Sequence, residues 1–128
     1  MSNCVLDASA LFAFLTQERG GERVAEAIVS GAAICTINFS EVVSKLSESG
    51  MPEAEIHETL DSIGLTIIDF DVTLACHAGL LRPLTRRAGL SLGDRACLAL
   101  AKQLGLPALT ADRVWKELSL DIEVQVIR

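Results

Sequence analysis

Cys4-Val5-Leu6-Asp7-Ala8-Ser9-Ala10-Leu11-Phe12-Ala13-Phe14-Leu15 decides how the rest of the chain is read. Three apolar residues stop at an acid, and the residues after it have few polar positions and run on as a helix. This is a buried strand feeding a helix, and the same unit recurs along the chain. Gly20-Gly21 punctuate, Glu22 to Val29 has helical spacing, and Ala32 to Thr36 is a second strand. Asn38 begins a helix to about Glu48, Gly50 ends it, and Pro52 opens another that reaches Ile63 before Gly64. Leu65 to Phe70 reads as a third strand and Val72 to Ala88 as a long helix interrupted or kinked near Pro83. After the Gly89-Leu90-Ser91 loop, Gly93 to Leu104 is helical, Pro107 to Thr110 is a fourth strand, Asp112 to Leu118 a short helix, and Glu123 to Ile127 an alternating edge strand. Strands separated by helices imply a mainly parallel sheet flanked by helices on both faces, a three-layer α/β fold. With no internal repeat or linker, residues 1–128 read as a single domain.

The composition is that of a packed globular protein: 128 residues, 50% hydrophobic, 22% charged, net charge −6. No stretch approaches the ~18 apolar residues of a membrane span. The first basic residue, Arg19, comes too late for a signal peptide's charged start, so a cytoplasmic, membrane-free protein is expected. Cys4, Cys35, Cys76 and Cys97 show no zinc-binding spacing and read as reduced core thiols. The acidic balance argues against a broad nonspecific nucleic-acid surface. Arg82, Arg86, Arg87 and Arg95 nevertheless gather in one stretch, either as a solvated helix face or as a track for RNA.

In an open parallel sheet, ligands bind beyond the carboxyl ends of the strands. Asp7 follows the first strand, Glu41 lies in the first turn of the helix after the second, Asp112 follows the fourth, and Asp94 opens a helix. Each alone fits a helix cap: Asn38-x-x-Glu41 and Ser91-x-x-Asp94 both have the form of a capping box, and Asp7 and Asp112 precede helices. Their convergence at one sheet edge, with no Lys or Arg after a strand to pair with them, favours a second role. Unpaired carboxylates raise one another's pKa unless a cation fills the space, and an all-oxygen site suits Mg²⁺ or Mn²⁺. Dinucleotide-binding, P-loop and nucleophile-elbow motifs are absent. His57 reads as a surface residue and His77 as a core one, and the five aromatics are too scattered for a base-stacking platform. Leu11, Phe14 and Leu15 have the helical spacing of core or of a partner interface.

Four segments in register, Val5-Leu6-Asp7-Ala8-Ser9, Ile37-Asn38-Phe39-Ser40-Glu41-Val42, Ser91-Leu92-Gly93-Asp94-Arg95-Ala96 and Leu109-Thr110-Ala111-Asp112-Arg113-Val114-Trp115, together resemble the PIN-domain ribonucleases. Within them the chain is similar to the VapC toxins of toxin–antitoxin pairs. The resemblance implies that Asp7, Glu41, Asp94 and Asp112 hold Mg²⁺ or Mn²⁺, supported by Ser9, Asn38 and Thr110. It further implies metal-dependent cleavage of RNA to a 5′-phosphate and a 3′-hydroxyl, a homodimer, and neutralisation by a small VapB-like antitoxin. Some members carry a further acid or amide shortly after the fourth carboxylate, where this chain has Trp115 and Lys116.

Other readings start from the same residues. A PIN nuclease that is not a toxin keeps the site and loses the antitoxin. A phosphoryl-transfer α/β protein also places an Asp after a strand, but the dehalogenase-like phosphatases need a second Asp where Ser9 stands, and receiver domains need adjacent acids and a strand-terminal Lys. A catalytically inert interaction module would use the acids as caps alone.

Overall fold

A computed structural model describes residues 1–128. The elements run β1 (Cys4–Leu6), α1 (Ala8–Leu15), α2 (Gly21–Ser30), β2 (Ala32–Cys35), α3 (Thr36–Glu48), α4 (Glu53–Asp61), β3 (Thr66–Ile68), α5 (Val72–Leu80), α6 (Arg82–Thr85), α7 (Leu92–Leu104) and β4 (Ala108–Thr110), then a 3-10 turn (Arg113–Glu117) and β5 (Val124–Val126). The five strands form one sheet in the order β3-β2-β1-β4-β5, and every pairing is parallel.

Both faces of the sheet are covered, which is why its inner strands are apolar except for Thr110 at the end of β4. Alternate residues serve opposite layers. Cys4 and Leu6 of β1, Ala32 and Ile34 of β2 and Leu109 of β4 pack with α1 to α4. Val5, Ala33, Cys35 and Ala108 pack with α5, α7 and Trp115. No helix is long and apolar enough to cross a membrane.

Local readings are resolved or changed at three places. The helix after β2 starts at Thr36, straight out of the strand, with Cys35 at the cap position. Asn38 therefore lies inside the first turn and is no capping residue. Of the two options for the helix over Val72 to Ala88, the structure takes interruption, because Pro83 sits at the start of α6 and supplies no N–H to continue α5. Cys76 and His77 are exposed on α5, which buries only Leu74 and Ala78. Of the four thiols, Cys4, Cys35 and Cys97 are in the core.

Candidate active site at the carboxyl edge of the sheet

The register sets the geometry. Leu6 lies opposite Ile34 on one side and Leu109 on the other, so the residues leaving β1 and β4 emerge side by side. Asp7 is buried there, at 4% exposure. Its carboxylate caps α1, accepting from Ala10 N at 2.8 Å. Thr110 Oγ1 donates to Asp7 Oδ2 at 2.6 Å, and Ser9 Oγ lies 2.8 and 2.9 Å from the two carboxylate oxygens. Both hydroxyls are themselves fixed from the chain after β4: Ala111 N donates to Ser9 Oγ at 2.9 Å and Asp112 N to Thr110 Oγ1 at 3.0 Å. Burial pushes the Asp7 carboxyl up from 3.8 to about 6 against these three donors, and the charge of Asp94 adds to the rise.

A second group joins α3 to α7. Asn38 is buried at 1% exposure. Its Nδ2 donates to Glu41 Oε1 at 3.1 Å and to the Gly93 carbonyl at 2.9 Å, while Oδ1 has no partner. The Glu41 carboxylate lies against the Gly93 backbone so closely that a Cβ there would stand 2.6 Å from both of its oxygens. Burial raises the Glu41 pKa, Asn38 opposes the rise, Asp94 adds to it, and Lys45 makes a smaller opposing contribution.

Asp94 completes the capping box expected at α7: it accepts from Ser91 N at 2.9 Å through Oδ2, and its own N–H donates to Ser91 Oγ at 3.2 Å. One turn further along α7, Cys97 is fully buried, and its thiol is pushed well above its usual range by burial and then by Asp7, Asp94, Cys35 and Glu41. Burial and the nearby acids all disfavour the thiolate of Cys97. Asp112 joins this group through its backbone. Its side chain is exposed and caps the 3-10 turn, with Oδ1 accepting from Val114 N at 3.0 Å.

Of the acids named from the sequence, the structure brings Asp94 within electrostatic reach of both Asp7 and Glu41 and leaves the Asp112 side chain exposed. Ser9 and Thr110 touch Asp7, and Asn38 touches Glu41. The two ion pairs of the protein, His57–Glu53 and Arg128–Glu18, involve none of them. No three His, Cys, Asp or Glu side chains stand close enough in these rotamers to share one ion. The part Gly93 plays beside Glu41 was missed from the sequence. The signal for Gly93 was a glycine inside a helix's first turn, where a side chain costs nothing locally and its absence marks a close approach.

The arginine track changes as well. Arg95 is half-buried and donates from a guanidinium nitrogen to the Ala78 carbonyl at 3.0 Å, tying α7 to α5. Arg82, Arg86 and Arg87 remain exposed. Leu11 is fully buried in the core, so of Leu11, Phe14 and Leu15 the last two alone are part-exposed.

The sequence matches the family described as PIN domain over residues 4–120. The chain belongs to the PIN-domain family. No curated protein matches it. Among solved structures, the fold is similar to a DNA-bound VapBC from Salmonella typhimurium (TM-score 0.77, 21% identity, all of both chains covered). It is also similar to a toxin–antitoxin complex from Klebsiella pneumoniae (TM-score 0.76, 20% identity, 98% of each chain). VapBC-5 from Mycobacterium tuberculosis aligns at a TM-score of 0.66 with 22% identity over 100% of this PIN domain and 99% of that chain.

Proposed function

We propose that this PIN domain is a metal-dependent endoribonuclease toxin of the VapC type, restrained by a small VapB-like antitoxin. The observation that carries the reading is that Asp94 lies within electrostatic reach of both Asp7 and Glu41 at the carboxyl edge of the sheet, with no salt bridge to neutralise the three acids. The donor set fits Mg²⁺ or Mn²⁺ in kind, since the acids are hard oxygen ligands. The unpartnered Asn38 Oδ1 is an acceptor such as a hydrated ion's water would satisfy.

Asp7, Asp94 and Glu41 would hold the ion, with Asp112 joining from the rim. Asp94 and Asp112 each spend one carboxylate oxygen on a helix cap and keep the other free, so capping and ligation coexist. A bound divalent ion supplies charge against the phosphoryl oxygens and lowers the pKa of a water at neutral pH. Ser9 and Thr110 hold Asp7 in one orientation, and Glu41 is placed to orient a water or to act as a ligand. Exposed Arg82, Arg86 and Arg87 provide positive charge for the backbone of single-stranded RNA.

The structural neighbours named above are toxin–antitoxin complexes, which supports the antitoxin as partner. We place the protein in the cytoplasm as a single-domain homodimer. The test is incubation of the purified chain with a single-stranded RNA and Mg²⁺ or Mn²⁺. Cleavage to 5′-phosphate ends that stops with EDTA, and again on adding the antitoxin encoded beside it, supports the reading. Cleavage that persists in EDTA removes the metal mechanism, and cleavage unaffected by the bound antitoxin removes the toxin assignment.

A further inference from the structure

We propose that Asn38 and Gly93 form a latch that presets the Glu41 carboxylate beside the start of α7 before any metal arrives. The inference rests on the metal-dependent reading and names two positioning residues for it. One Asn38 amide group spans both elements, donating to Glu41 Oε1 at 3.1 Å and to the Gly93 carbonyl at 2.9 Å. Both acceptors are oxygens, so the amide can face them only through its nitrogen. Asn38 is nine-tenths buried and more, and such a group holds one orientation.

Gly93 supplies the other half of the latch. Its φ is not in the left-handed region, so glycine is not needed there for the backbone. What it provides is space, because a Cβ would fall 2.6 Å from both Glu41 carboxylate oxygens and 2.8 Å from Cδ. An alanine at this position fits the helix and displaces only the end of a flexible side chain. The helix would survive and Glu41 would not keep its place. Glu41 thereby depends on the identity of a residue in another element, directly before Asp94.

The test is Mn²⁺ affinity of the purified full chain, read from the electron paramagnetic resonance of free Mn²⁺, with a metal-free thermal melt for each variant. Gly93→Ala is expected to keep or raise the metal-free melting temperature and to weaken Mn²⁺ binding by about tenfold or more, the usual effect of losing a ligand's support. Asn38→Leu should weaken binding similarly and lower the melting temperature, since it strips the Gly93 carbonyl of its donor. In a Glu41→Ala background, Gly93→Ala should leave affinity unchanged, because its effect runs through Glu41. Wild-type affinity in Gly93→Ala, or a loss of equal size with and without Glu41, overturns the latch. Absence of Mn²⁺ binding by the wild type overturns the metal reading itself, which is a distinguishable result.

Discussion

Asp7 is a carboxyl group held where a carboxylate is costly. Its folded-state pKa of about 6 exceeds its ordinary 3.8, so the native protein binds this proton more tightly than the unfolded chain does. The stabilisation is complete below about pH 4 and is lost as the pH rises through 6, on the order of 3 kcal/mol without metal. Urea denaturation of the metal-free protein should show this decline between pH 4 and 7, and Asp7→Asn should flatten it; an equal slope in the variant refutes the assignment. By the same linkage Mn²⁺ affinity should fall about tenfold per unit below pH 6, because the ion must displace the proton. Asp94→Asn is expected to fold, since an amide oxygen can still accept from Ser91 N, and to reduce RNA cleavage by about two orders of magnitude or more. Near wild-type cleavage by that variant would remove Asp94 from the site. Asp7 and Asp94 stood out as candidates because one follows a strand and the other opens a helix, whereas Glu41, expected in the first turn of its helix, lies in the second turn of α3, which begins at Thr36. Their individual geometries were not legible, since Asn38 reads equally well as a cap until the start of α3 is known.

Elements carry the site through their ends. Strand–helix alternation was legible for β1, β2, β4 and α7, where apolar runs meet an acid, a Gly or a Pro. The crossovers implied a mainly parallel sheet, which the structure makes parallel throughout, and β5 lies at the edge as its alternation implied. The division between α5 and α6 was only half legible, because a proline can kink a helix or begin a new one. The exposure of Cys76 and His77 was hidden because α5 is apolar on its outer side too: Val72 is 79% and Leu80 73% exposed. In α7 the capping box was read correctly, and it has a consequence beyond the helix. Ser91→Ala removes the acceptor for Asp94 N and should cost about 1 kcal/mol, a fall of roughly 4 °C in melting temperature. The same change leaves Asp94 less constrained, so metal affinity should fall along with stability. A melting temperature equal to wild type would show that the cap is idle.

At the scale of the whole molecule, three layers bring side chains far apart in sequence to one edge: Asp7 touches Thr110, and Asn38 touches Gly93. Sequence order alone does not show such meetings, which depend on β1 lying between β2 and β4. If the edge binds an ion only when folded, saturating Mn²⁺ should stabilise the protein, by about 2.7 kcal/mol at a hundred times the dissociation constant. Asp7→Ala should abolish most of the resulting melting-temperature shift, and a shift of equal size in the variant would place the ion elsewhere. The central claim is that the acids at this edge hold a divalent cation, and a crystal structure of the chain soaked in Mn²⁺, with anomalous data, tests it most directly. The account predicts a peak ligated by Asp7 and Asp94, with Glu41 against Gly93 bound to the ion or to one of its waters. A peak elsewhere, or none at a Mn²⁺ concentration that supports cleavage, would contradict it.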